Sequence, residues 1–205
     1  ALRDTIGCVS SIPLIASSIM SKKIAAGANK IVIDLTCGNG AFMKNKHDAT
    51  ELAKTMIKIG EKTGKEVRCV LTSMDEPVGY AIGNQLEIIE AIEALKGNMP
   101  KDVEEIVFAL GNQILIMAGK AKNEDEATGM LRVTIENQKA FEKFKELVVK
   151  QGGDVSYIDD VTKFRQAQFI EPVTAKKSGT IMEIDTEKIG RVSSYIGAGR
   201  TNKED

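Results

Sequence analysis

Tryptophan is absent from this 205-residue sequence, and the aromatic residues together make up 4% of it. That is too few to build the platforms on which single-stranded nucleic acids stack. Neither sign of charge is in excess: 28 Lys and Arg stand against 29 Asp and Glu, for a net charge of -1. Without a basic excess the sequence lacks the term that draws proteins to nucleic acid or to anionic membranes. No apolar run reaches the ~20 residues that span a bilayer, and the first residues lack the charged, apolar and small-residue order of a signal peptide. The expectation is a cytosolic protein with no nucleic-acid and no membrane partner. Cysteine is scarce too. Cys8, Cys37 and Cys69 fit neither a disulfide framework nor a C-x-x-C metal spacing, and read as reduced thiols. His47, the single histidine, has no second His or nearby Cys to share a metal with, and reads as a helix-start residue.

What is there suits a packed core. The chain is 42% hydrophobic and 28% charged, which places it among globular proteins large enough for one domain, or for one domain and part of another. Apolar residues at Ile12, Ile15, Ile19 and Met20, with Ser11 as cap and Pro13 in the first turn, predict a helix running to about Ala26 and Gly27. Lys30 to Thr36 reads as a buried strand, Asp48 to Thr63 as a helix and Val67 to Met74 as a second strand, a βαβ pattern. A loop with Pro77 and Gly79 leads to helices expected over 84–95, over 101–121 and, once or twice, over 123–150. Gly152 and Gly153 end the helical stretch. The composition then turns to short β-like runs at 168–174, 180–184 and 191–195. The missing initiator methionine and an apparently unfinished closing β region mark the chain as a piece of a longer protein.

Two short motifs invite chemistry. Ile31 to Gly40, I-V-I-D-L-T-C-G-N-G, puts a glycine-rich turn after a strand, as methyltransferases that use S-adenosylmethionine do, with Asp75 or Glu76 available for a ribose. The plain alternative is a tight turn in which Gly38 and Gly40 supply backbone freedom. Lys177-Ser178-Gly179-Thr180 looks like the end of a phosphate-cradling loop, but it lacks the upstream glycine and the following helix. It reads as a turn between strands.

A third signal is far longer. A-L-R-D from Ala1, S-I-P-L-I-A-S-S-I-M-S-K-K-I-A-A-G-A from Ser11 and G-N-G-A-F-M-K from Gly38 closely resemble the thymidine and pyrimidine-nucleoside phosphorylase family. The likeness continues through E-P-V-G-Y-A-I-G-N from Glu76, E-A-I-E-A-L-K-G from Glu90 and G-A-G-R-T-N-K-E-D at the end. It covers nearly the whole chain.

The resemblance implies an α/β fold in which residues 1–27 belong to a helical, base-binding lobe, 28–165 to an α/β lobe with helices on a central sheet, and 166–205 to the start of a β-rich C-terminal domain. It implies reversible phosphorolysis of pyrimidine nucleosides, with phosphate as cosubstrate and no required cofactor. Relatives are homodimers. In that reaction phosphate attacks the sugar while the base departs with developing negative charge, so cationic donors aimed at the ring carbonyls favour the transition state over the neutral substrate. Ser18 and Lys22 lie four apart on the first predicted helix and share a face. By resemblance Arg3, Ser18 and Lys22 hold the pyrimidine, with Arg3 and Lys22 as the catalytic cations, Val9, Ile15 and Phe42 as apolar walls, and Lys23 left on the surface. A monovalent cation, potassium in kind, is implied at the Val78 and Ala81 carbonyls and the Glu90 side chain; oxygen ligands suit a hard cation. The family's phosphate loop, K-x-S-x-G-G-x-G-D, lies upstream of Ala1, so His47 is not the family's active-site histidine. Thr36 and Cys37 depart from the family pattern, which has lysine and threonine there. The rival readings are the methyltransferase and a non-catalytic remnant.

Overall fold

Pro13 fixes where the first helix begins, since its ring pre-sets φ and its missing N–H falls where no intrahelical partner exists. In the computed structural model, whose described residues are 11–199, helix α1 spans Ile12–Ala25 with proline in its first turn. It stops where Gly27 takes a left-handed φ of 82°. Strand β1 (Lys30–Cys37), helix α2 (Lys46–Lys62) and strand β2 (Glu66–Ser73) form the expected βαβ unit. The strands pair in parallel, from Lys30 opposite Glu66 to Cys37 opposite Ser73.

Helix α2 starts at a side-chain cap, Asn45 Oδ1 accepting from the Asp48 N–H at 2.9 Å, with His47 in the first turn as expected. Its buried residues, Ala49, Leu52, Ala53, Met56 and Gly60, form one stripe at helical spacing. Gly60 lets the helix touch the sheet, because a Cβ there would collide with Val67. Ile31, Ile33 and Leu35 alternate along β1 and close the core with Met20, Leu52 and Met56. The opposite side of the sheet rests on the later helix Lys101–Met117, where Arg68 donates to Gln113 at 2.9 Å and Lys30 donates to the Met117 carbonyl.

Helices α3 (Asn84–Leu95), α4 (Lys101–Met117), α5 (Glu124–Glu136) and α6 (Lys139–Lys150) follow. Ile92 of α3 and Phe141 of α6 meet Ile158 of the short α7 (Ser156–Asp159) in a second apolar cluster. Buried Asn112 of α4 is satisfied by Thr128 of α5 at 2.9 Å, as a polar group removed from water must be.

The last segment differs from the sequence expectation. Among the described residues no strand forms after β2. Residues 165–184 make neither helix nor strand, and Ile170, Val173 and Met182 stay exposed. A strand requires an edge to bond to, and these described residues meet none. Arg191 to Tyr195, read as a β-like run, instead lies in helix α8 (Thr186–Ser193) and the π-type turn Ser194–Ala198 that continues it. Asp185 accepts from the Lys188 N–H at 3.0 Å, and this N-cap outweighs the β-branched character of the residues after it. Lys177 to Thr180 lies in the exposed irregular stretch and does not lead directly into a helix.

Candidate functional site

Ser18 and Lys22 do share a face of α1. Lys22 Nζ donates to Ser18 Oγ at 3.4 Å, with Lys22 exposed and Ser18 half-buried. Ile15 and Ile19 lie on the same stripe and line a cavity of ≈ 360 Å³ together with Phe42, Asp34 and Thr36. Two of the expected apolar walls, Ile15 and Phe42, thus face one space. They differ in character: Ile15 is a core residue, whereas Phe42 stands 53% exposed at the tip of a loop. Lys23 is half-buried, and Arg3 and Val9 lie outside the described residues.

The Phe42 loop is built on the glycine turn. Gly38, at φ 128°, donates to the Met43 carbonyl at 2.9 Å, and Gly40 donates to the Met74 carbonyl at 2.8 Å. Only glycine adopts that φ without strain, and a Cβ on Gly38 would also strike the Asp75 carboxylate. That carboxylate accepts from the Asn39 N–H at 2.9 Å. Asp75, the acid the methyltransferase reading assigned to a ribose, is therefore spent on the turn itself. A helix does follow, but only after the Phe42 loop, at Lys46. The turn is the tight strand-to-loop connection, and the methyltransferase reading loses its support.

The first two residues of α8 press on this loop. Lys44 Nζ pairs with Glu187 Oε2 at 2.8 Å and donates to the Asn39 carbonyl at 2.8 Å. The Lys44 ammonium, with Arg191 adding to it, holds the Glu187 carboxyl below the usual carboxylate range. Lys44, Asp48 and Glu187 border a second cavity of ≈ 640 Å³ with Ile12 and Phe42. On β1, Asp34 accepts from Thr72 Oγ1 of β2 at 2.6 Å. Its signal in the sequence was a lone carboxylate interrupting an apolar strand.

Ala81 meets Glu90 through its N–H, whereas Val78 lines a cavity with Pro77 and Asp102. Glu90 Oε1 accepts from the N–H groups of Tyr80 at 2.8 Å and Ala81 at 3.1 Å. Asp102 accepts from Gly79 N–H at 2.7 Å, and Glu87 from Gly83 N–H at 2.9 Å. Three carboxylates thus take the donors of this loop, two of which, Glu87 and Asp102, sequence reasoning missed. Glu90 Oε2 has no hydrogen bond among the described residues. The loop presents N–H groups to Glu90 Oε1, and a carboxylate oxygen such as Oε2 is the kind of ligand a hard cation takes. Among the described residues no three His, Cys, Asp or Glu side chains gather as a metal cluster, and no helix is long and apolar enough to cross a membrane.

A family model described as "Glycosyl transferase family, a/b domain" matches residues 2–141. The pyrimidine-nucleoside phosphorylase of Bacillus subtilis (strain 168) is 51% identical over all 205 residues of the chain, which cover 47% of that protein. Those of Staphylococcus aureus strains bovine RF122 / ET3-1 and USA300 are 49% identical over the same 205 residues and 47% of their lengths. The chain spans about half the length of the curated relatives it matches.

Proposed function

The chain belongs to the glycosyl transferase family, a/b domain, and on that premise we propose that it carries the base-binding wall of a pyrimidine-nucleoside phosphorylase. The substrates in this reading are a pyrimidine nucleoside and phosphate, and the products are the free base and a pentose 1-phosphate. The observation that supports it most is the α1 stripe: a hydroxyl and an ammonium 3.4 Å apart, on the helix face whose Ile15 and Ile19 line the cavity that Phe42 closes. Ile15 and Phe42, with Val9, flank the flat ring, the Ser18 hydroxyl meets its N3–H edge, and Lys22 faces a carbonyl oxygen with Arg3 as second cation. As the bond to the sugar breaks, negative charge grows on those oxygens. The Lys22 ammonium is then worth more to the transition state than to the substrate, which is the condition for acceleration.

The same reading places a monovalent cation, potassium in kind, at the Val78 and Ala81 carbonyls and Glu90, where it would hold the loop's oxygens together; no further cofactor is required. It also takes the enzyme to be a cytosolic homodimer. The test is phosphorolysis of uridine by a polypeptide of the relatives' full length, followed as uracil release with and without phosphate. Release that requires phosphate supports the proposal. Absence of phosphate-dependent release, with the protein folded, overturns it.

A further inference from the structure

Helix α8 holds the Phe42 loop through its first two residues. Thr186 is 8% exposed, and its Oγ1 donates to the Asp75 carbonyl at 2.7 Å. Its Cγ2 fills the space that a Cβ on Gly40 would need. The Glu187 N–H donates to Asn39 Oδ1 at 3.3 Å, and the Glu187 carboxylate takes Lys44 at 2.8 Å. Asn39, Gly40 and Lys44 are thereby fixed on both sides of Phe42. These partners lie more than a hundred residues apart in sequence, so they add a long-range restraint to the local bonds from Gly38 to Met43 and from Lys44 to Asn39. The exposed Lys44–Glu187 pair is worth little by itself; the buried Thr186 hydroxyl, bonded and packed, is the stronger element.

The loop needs such a restraint. Gly38 and Gly40 give its entry wide backbone freedom, and Phe42 is half-exposed with solvent on one side. Phe42 lines the cavity with Ile15, so the position of its ring sets the shape of that space. We propose that Thr186 and Glu187 are positioning residues that set the Phe42 ring against that cavity. The functional meaning rests on the base-binding reading; the restraint itself does not.

The absence of tryptophan makes the test direct. Phe42→Trp installs a single indole at the loop tip, and its acrylamide quenching and anisotropy report loop freedom with no ligand present. In that background Thr186→Val, which keeps the shape and removes one net intramolecular hydrogen bond, is expected to raise the quenching rate constant up to about twofold, the limit for a ring already half exposed, and to lower the anisotropy. Thr186→Ser restores the donor and the low quenching, and Glu187→Gln gives a smaller rise. Unchanged quenching in Thr186→Val, or an equal rise in Thr186→Ser, overturns the proposal. A uracil titration of the same proteins separates the two claims. A loosened loop with weaker uracil binding supports both, and a loosened loop with no uracil binding in the parent keeps the restraint and removes the base-binding reading.

Discussion

Lys22 Nζ stands 3.4 Å from Ser18 Oγ, one helical turn away on the same face of α1. In the base-binding reading the Ser18 oxygen accepts from the ring N3–H and the Lys22 ammonium donates to a carbonyl, so the pyrimidine uses the two groups unequally. The hydroxyl serves ground state and transition state alike, whereas the ammonium gains as charge develops. In the full-length enzyme Lys22→Met is therefore expected to lower kcat/KM about a hundredfold, ~3 kcal/mol of transition-state stabilisation, with kcat carrying most of the loss. Ser18→Ala is expected to act mainly on KM. Steady-state kinetics on uridine decide it, and near-parental turnover by Lys22→Met would make the lysine a bystander.

Gly38 at φ 128° packs against the Asp75 carboxylate. Gly64 is also left-handed, at φ 67°, but a Cβ there would meet open space. Gly64→Ala is thus expected to cost ~1 kcal/mol, the left-handed penalty alone. Gly38→Ala adds the collision and a less accessible φ, and should lose ~3 kcal/mol. Urea unfolding of the two variants measures the difference. Equal midpoints would show that the Asp75 contact relaxes at no cost.

How much of this was legible follows from how far apart the interacting residues lie. Asn45, Pro13 and the Leu52, Met56, Gly60 stripe announce their helices locally, so α1, β1, α2 and β2 appear in the sequence within a residue or two. The Ser18 and Lys22 pair is legible for the same reason, since helical spacing alone puts four-apart residues on one face. The Asp34–Thr72 bond depends on strand register, and Thr186–Asp75 and Glu187–Lys44 depend on where the chain returns after more than a hundred residues. No local pattern encodes those. Helix α8 was legible in principle, because Asp185 precedes a run with Ile189 and Val192 at helical spacing, but the β-branched residues after it carried the reading the other way.

Cys69 is half-buried between β2 and α2, and burial pushes its thiol up to about 11. Only the thiolate attacks alkylating reagents, so at pH 8 about one molecule in a thousand is reactive at this position. Iodoacetamide labelling read by peptide mass should therefore leave Cys69 unmodified while the chain is folded and label it fully in urea. Rapid labelling of Cys69 in the folded protein would mean that β2 opens from α2 far more often than the packed core implies.

The Glu87, Glu90 and Asp102 carboxylates take the N–H groups of the 79–83 loop, and two roles can be separated at Glu90. As an acceptor it holds Tyr80 and Ala81; as a charge it would be a ligand of the proposed cation. Glu90→Gln retains an acceptor oxygen for both N–H groups and removes the charge. Glu90→Ala removes both and leaves the half-buried Ala81 N–H unpaired beside the exposed Tyr80 N–H, at ~1 kcal/mol. A ligand that binds only the folded state raises the melting temperature with concentration, so the parent protein should melt higher in potassium than in tetramethylammonium at equal ionic strength. Glu90→Gln should melt close to the parent in tetramethylammonium and show no further rise in potassium, while Glu90→Ala should melt lower in both. A parent protein indifferent to potassium would confine Glu90 to its role as the loop's anchor, and a potassium response that survives in Glu90→Gln would move the cation elsewhere.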